Sequence, residues 1–203
     1  MYAEKKEVLF PRNSRVLDVA GGFGVDSMFF LEHNHTVTLL DISSVAIEGA
    51  KDTATERLLD DRFQTCLVEL GKERIALEDD SVDVVYSRLG LQYFNKNTTE
   101  DIFKELFRIL KKDGKAYVVV KSPDDTQEME YFKKAAVEVE KSVFDNKGQR
   151  KSRYTRSEWE NILKNAGIKK YSVSEYVDDI EGRGAKTKSG VYKLLLNEII
   201  FSK

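Results

Sequence analysis

The chain reads as an α/β protein with a doubly wound, mostly parallel seven-stranded sheet closed by an antiparallel edge hairpin. Three observations predict this. Short apolar runs alternate with amphipathic stretches from end to end. The first run, Val16 to Ala20, passes into a glycine cluster at Gly21, Gly22 and Gly24, and then into a helical pattern beginning at Val25. The last two runs, Ile168 to Ile180 and Tyr192 to Ser202, are joined by a short Lys- and Gly-rich segment, Gly182 to Gly190, as in a hairpin.

Element by element, the opening unit is strand, tight glycine turn, helix. Val16 to Ala20 has the continuous hydrophobicity of a buried parallel strand, with Asp18 near its end. Glycines at such a corner let a ligand approach the backbone, and the helix that follows offers free N–H groups. Thr36 to Asp41 is a second strand ending in an acid, 23 positions after Asp18. That spacing is close to the ~20 residues expected for a carboxylate that binds ribose hydroxyls. Ser43 and Ser44 can cap a helix reaching about Leu59, with Val45, Ile47, Ala50, Ala54 and Leu58 on one face. Phe63 to Glu69 and Val82 to Ser87 are the third and fourth strands. Thr98 and Thr99 start a helix with Ile102, Leu106, Ile109 and Leu110 on its apolar side; Lys111 to Gly114 reads as its stop, and Ala116 to Val120 is strand five.

Beyond strand five the pattern predicts an amphipathic helix from Pro123 to about Lys141, a polar loop from Asn146 to Arg153, and a capping box, Thr155 to Glu158, opening a helix that runs through Trp159, Ile162 and Leu163 to Gly167. Residues 1–203 form one domain of ordinary size. The 124–154 segment is an insertion of mixed polarity, expected to cover a substrate.

Composition narrows the function classes. The 33 basic residues against 35 acidic ones leave a net charge of −2, so there is no electrostatic reason to expect nucleic acid. The local basic clusters, Lys147 to Arg156 and Lys164 to Lys170, read as solvated surface. The lone Cys66 excludes an internal disulfide and a multi-cysteine zinc site, and within an apolar run it reads as a small buried hydrophobe. There is no signal-peptide core at Met1 to Phe10 and no ~20-residue apolar span, which points to the cytoplasm. His33 and His35, the two histidines, follow the first helix and are expected on the surface.

These motifs together resemble the class I S-adenosylmethionine-dependent methyltransferases. Val16 to Gly24 is similar to that family's first motif, and Asp41 to its acid at the end of strand two. Leu77 to Ser87 with Leu89 to Phe94 resembles its fourth-strand motif, Leu106 to Gly114 the helix and turn before its fifth strand, and Thr155 to Gly167 its late helix. The resemblance implies S-adenosylmethionine as cofactor. It puts Asp18 and the backbone of Ala20, Gly21, Gly22 and Gly24 at the methionine portion, Asp41 on the ribose, Ile42 on the adenine face, Glu69 and Leu70 at the adenine edge, and Ser87, Arg88 and Leu89 near the sulfonium. Three departures stand out. Ala20 replaces a common glycine, tolerable if its φ stays negative; Asp113-Gly114 replaces a Pro-Gly or Gly-Gly pair; and Gln92 stands where many relatives carry histidine.

Methyl transfer from a sulfonium is an in-line displacement with a neutral leaving group, so positioning is its main requirement and no obligatory base is expected. No catalytic residue is assigned, and no metal site. The segment after strand four lacks the Asn/Asp-Pro-Pro-aromatic sequence of amine-directed nucleic acid methyltransferases, which leaves a small-molecule acceptor as the default. Three other readings remain: a nicotinamide-dependent oxidoreductase, disfavoured by the missing third glycine of that fingerprint; a cofactor-binding regulatory or partner protein without transferase activity; and a methyltransferase acting on a macromolecule.

Overall fold

A computed structural model describes residues 2–179 and 193–203. A seven-stranded sheet is built from β1 (Arg15–Val19), β2 (Thr36–Asp41), β3 (Phe63–Leu67), β4 (Val82–Arg88), β5 (Leu110–Lys121), β9 (Lys170–Asp179) and β10 (Lys193–Ser202). Its order is β3-β2-β1-β4-β5-β10-β9. The pairs β1–β2, β2–β3, β1–β4 and β4–β5 are parallel, whereas β10 is antiparallel to both β5 and β9. The predicted hairpin is therefore present, with its reversed strand one place in from the edge and β9 outermost. Strand order reverses between β1 and β4, and ligands bind such sheets in the crevice outside the C-terminal ends of the strands at that point.

Both faces are covered, which is why the central runs Val84 to Tyr86 of β4 and Ala116 to Val120 of β5 are apolar, as is Val16 to Val19 of β1 apart from Asp18. On one face α4 (Lys96–Ile109) and α6 (Arg156–Asn165) bury Ile102, Phe103, Leu106, Trp159, Ile162 and Leu163 against Leu17, Val85 and Val118. On the other, α1 (Tyr2–Glu7) and α2 (Val25–Glu32) bury Tyr2, Met28, Phe30 and Leu31 against Val16, Tyr86 and Tyr117. The predicted capping box is formed: the Thr155 side chain accepts from the Glu158 N–H while the Glu158 carboxylate accepts from the Thr155 N–H. Asn95, rather than Thr98 or Thr99, caps α4, because its side chain accepts the Thr98 N–H at 2.9 Å.

Several expectations give way. The helix after Asp41, α3 (Ser44–Glu56), buries Ile47, Ala50 and Ala54 as expected, but Val45 faces solvent, and Leu58 lies beyond the helix at a φ of 57° and is exposed. Strand three ends at Leu67 instead of Glu69. Lys111 to Gly114 begins strand five, because α4 stops at Ile109 and the chain enters β5 at Leu110 through a register shift opposite Val82 and Val84. Helix α5 covers only Thr126–Ala135; Val137 then starts a three-stranded sheet of β6 (Val137–Glu140), β7 (Val143–Asn146) and β8 (Gln149–Ser152). The alternation Val137-Glu-Val-Glu140 is a strand period that a helical reading overran. The expected polar loop is mostly a hairpin, turned by Lys147 and Gly148 at φ values of 57° and 82°, the left-handed pair a two-residue turn requires.

His35 is a further correction. It is buried, its Nδ1 accepts the Ser14 N–H at 3.0 Å, and its Nε2 meets Glu7 at 3.1 Å, so it pins α1 to the start of β2. Cys66 is half-buried. Gly182 to Gly190, with Ile180 and Tyr192, falls outside the described residues. No helix among the described residues is long and apolar enough to cross a membrane.

Candidate active site

The sequence from Asp18 to Ser27 folds into a closed set of short contacts. Asp18 leaves β1 pointing back beneath the glycine turn, where it is 2% exposed. The Ser27 hydroxyl donates to its Oδ2 at 2.7 Å, and the Ser27 N–H bonds it too, so Asp18 satisfies a donor in the first turn of α2 that has no side-chain N-cap. Burial raises its pKa from 3.8 to about 7; the Ser27 hydroxyl opposes the rise, and the charges of Asp26 and Asp41 add to it. Gly21 is required by this carboxylate, since a Cβ there would lie 2.6 Å from Asp18 Oδ2.

Gly22 differs: its φ is 56°, and a Cβ would meet nothing within 4 Å, so the turn faces open space at this residue. Gly24 is a packing glycine with a φ of 71°, its missing Cβ leaving room for Ala50 and Leu39. Asp41, at the end of β2, accepts the Gly22 N–H on Oδ2 at 2.8 Å and the Ser43 N–H on Oδ1 at 2.9 Å. One carboxylate thus ties the glycine turn to the entry of α3, while Ser43 itself caps that helix. Beside Asp41, the Ile42 side chain is 66% exposed, an apolar surface at the rim that the fold leaves uncovered.

Ala20 has a φ of 54°, so the expectation of a negative φ fails and a methyl group occupies the left-handed region. Its neighbour explains the space: a Cβ on Gly90 would come 2.5 Å from the Ala20 Cβ. Leu89, with a φ of 60°, turns the chain out of β4 just before Gly90. Beneath this contact the buried Ser87 hydroxyl donates to the Val19 carbonyl at 2.8 Å and staples β4 to β1. Arg88 reaches across the sheet to Asp178 at 3.0 Å, and Tyr86 donates to Asp26 at 2.7 Å.

The structure brings Asp18, Ala20, Gly21, Gly22, Gly24 and Asp41 together around one turn, with Ile42 beside them. Glu69 lies past the end of β3, half-buried and paired with Lys72. Leu70 belongs to the core with Ile75 and Ile102. Gln92 is buried; its side-chain oxygen accepts the Lys121 N–H at 2.9 Å and its carbonyl accepts the Ser152 N–H at 2.8 Å, fastening the segment after β4 to β5 and to β8. Sequence reading missed Asp26, Gly90 and Asp178. A lone glycine between two leucines just after a strand was the one available signal, for Gly90; the partners of Arg88 and Tyr86 lie 90 and 60 positions away and left none.

The 126–152 segment is held by a buried ion pair. Arg153, 2% exposed, donates from Nε and Nη2 to the two oxygens of Glu128 at 2.7 and 2.9 Å, and its guanidinium lies over Phe132. Against the cost of burial, these bonds hold the Glu128 carboxyl below its usual range.

Residues 16–114 match the family model of a methyltransferase domain. No curated protein sequence matches the chain. Among solved structures it is similar to an S-adenosylmethionine-dependent methyltransferase from Methanosarcina mazei, with 19% identity and a TM-score of 0.74 over 97% of this chain and 95% of that one. A methyltransferase from Mesorhizobium loti gives 18% identity and a TM-score of 0.68 over 98% and 96%. The 1,6-didemethyltoxoflavin-N1-methyltransferase of Burkholderia thailandensis, solved with bound 1,6-didemethyltoxoflavin and S-adenosylhomocysteine, gives 14% and 0.69 over 99% and 76%. With the strand order, the glycine turn and the acid closing β2 in place, residues 16–114 carry a methyltransferase domain, and the fold of the chain is similar to that of S-adenosylmethionine-dependent methyltransferases.

Proposed function

We propose that the chain transfers a methyl group from S-adenosylmethionine to a small-molecule acceptor, and that it does so by positioning. The observation that carries the cofactor's placement is the turn at Gly22: a backbone facing open space, flanked by a buried carboxylate on one side and a rim carboxylate on the other. When bound, the cofactor supplies an electrophilic methyl on a sulfonium that leaves as a neutral thioether. Asp18, beneath Ala20 to Gly24, sets the shape and charge of the turn at the methionine end. Asp41 keeps its outer lone pairs for the ribose hydroxyls while its backbone bonds hold the turn still. Ile42 offers an apolar face to the adenine, and Glu69 stands beyond it at the rim. Ser87 and Leu70 act from beneath, through the β4–β1 staple and the core. Leu89 and Arg88 border the methyl-bearing end.

The 124–154 segment covers the acceptor in this reading, and residues 1–203 work as one domain. Its support is the clamp of Arg153 on Glu128 and the bonds of Gln92, which join the cover to the strand ends. The small-molecule acceptor is supported by the near-balanced charge, and by the relative from Burkholderia thailandensis, whose substrate is a small heterocycle. The test is transfer of radiolabelled methyl from S-adenosylmethionine into a cell extract split by ultrafiltration. Label in the low-mass fraction supports the proposal. Label only in protein or RNA replaces it with a macromolecular acceptor, and label in neither favours a binding protein without transferase activity.

A further inference from the structure

Arg88 ends β4, at the crevice where the strand order reverses. A guanidinium is a fork of N–H donors with no acceptor. Arg108 and Arg153 use that fork fully: each donates from Nε, Nη1 and Nη2 to carboxylates and carbonyls of the segments it clamps. Arg88 differs. Its Nη2 donates to Asp178 at 3.0 Å, its Nε is buried without a partner, and its Nη1 makes no hydrogen bond among the described residues. An orphaned buried donor is a net cost to the fold, so stability alone does not account for this side chain.

The group is nonetheless held in place. Asp178, 1% exposed, fixes it from β9, and Tyr86, two residues earlier on the same face of the sheet, ties the strand to Asp26 in the first turn of α2. The Arg88 side chain itself is 29% exposed, which leaves its remaining donors open to a ligand in the crevice. Gln92 adds a donor at the same end of the sheet. Its side-chain oxygen accepts the Lys121 N–H at the end of β5, which fixes the orientation of the amide and leaves Nε2 with no bond among the described residues. Rigid donors of this kind match the oxygens of a carboxylate or phosphate. The acids that face Arg88 are already engaged, Asp26 by the Tyr86 hydroxyl and Asp178 by Arg88 itself.

We propose that Arg88 holds a carboxylate or phosphate on the methyl acceptor, with the Gln92 amide as a second donor, so that the acceptor is an anionic small molecule. The inference rests on the methyltransferase reading of this site and narrows its substrate class. The oxyanion is a handle. Another atom of the acceptor bonds the methyl carbon, the carbon–sulfur electron pair stays with sulfur, and any proton on the attacking atom passes to water. The product therefore keeps the charge that Arg88 recognises.

The test follows radiolabelled methyl from S-adenosylmethionine into the low-mass fraction of a cell extract, resolved by anion exchange at pH 8. Unreacted cofactor is a cation and passes through the column. The expected product is retained. Arg88→Gln is expected to raise the amount of fraction needed for half-maximal rate about tenfold, the scale of a lost charge-assisted bond, with a smaller effect on kcat. Its Kd for S-adenosylhomocysteine, by calorimetry, should match that of wild type. Label only in neutral or cationic compounds overturns the proposal and leaves the methyltransferase reading intact. So does a large loss of S-adenosylhomocysteine affinity in Arg88→Gln, which would put the guanidinium on the cofactor. A wild-type chain that binds S-adenosylhomocysteine but labels no low-mass compound overturns it too, and one that neither binds nor labels removes the reading beneath it. Should Arg88→Gln fail to fold, the charge of the wild-type product decides.

Discussion

Replacing Asp18 by Asn changes how stability depends on pH, and the size of the change follows from the carboxyl's surroundings. In the folded protein its pKa is raised from 3.8 to about 7, through burial first. In the unfolded chain it ionises near 3.8. Between these values the folded state keeps a proton that the unfolded state has lost. The protonated acid's contribution is therefore complete below pH 3.8 and lost as pH rises to 7. At 1.36 kcal/mol per pH unit, the full interval is worth about 4 kcal/mol, and about 3 kcal/mol of it falls between pH 5 and 8. Asn cannot ionise, so the variant lacks this decline. Its extra N–H needs a partner in a buried site, a cost of about 1–3 kcal/mol that does not vary with pH. The assay is urea unfolding of the cofactor-free protein at pH 5, 6, 7 and 8. Expected is a stability difference, variant minus wild type, that climbs by about 3 kcal/mol across the series, so that a variant weaker at pH 5 matches or exceeds wild type at pH 8. A difference that stays flat with pH would refute the reasoning, since Asp18 would then be ionised throughout.

Other perturbations test separate joints. Asp41→Ala weakens binding of S-adenosylhomocysteine by about 1–3 kcal/mol by calorimetry, and also strips the Gly22 N–H of its acceptor; unchanged affinity removes Asp41 from the site. Gly22→Val should abolish binding by filling the open side of the turn, and normal affinity in a folded variant would displace the cofactor from that turn. Gly90→Ala drives a methyl into Ala20 and is expected to cost about 1–3 kcal/mol of stability, with Ala20→Gly in the same chain restoring most of it; additive losses in urea melts would show that the two positions do not touch. Arg153→Met leaves Glu128 buried without its partner and should cost about 3–5 kcal/mol, read as a lowered Tm, whereas a change below about 1 kcal/mol would mean the cover is not clamped there.

The seven strands were legible because both kinds of signal agreed: apolar runs at the centres of β1, β4 and β5, and turn chemistry near their ends. The 124–154 segment was misread where they conflicted. Ala136 continues the helical spacing of Met129 and Phe132, yet Val137 and Val139 already follow a strand period and are exposed, so the 3.6 repeat was extended over residues that tertiary pairing with β7 had claimed. His35 looked like a surface residue because its partners, Ser14 and Glu7, lie 21 and 28 positions away. In the site, Asp18, Gly21 and Asp41 were visible as residue types at known offsets. The strain at Ala20 was not, because its φ is set by the path of the turn and its space by Gly90, 70 residues later. Local pattern identifies the residues of the turn; long-range contacts decide which of them hold each other.

The central claim is that the turn from Ala20 to Gly24, closed by Asp18 and Asp41, is a cradle for S-adenosylmethionine. Isothermal titration calorimetry of the full chain with S-adenosylhomocysteine, with NADH as the control, tests it most directly. The account predicts binding of S-adenosylhomocysteine in the micromolar range and none of NADH. Binding of NADH alone, or of neither compound to the folded chain, would contradict it.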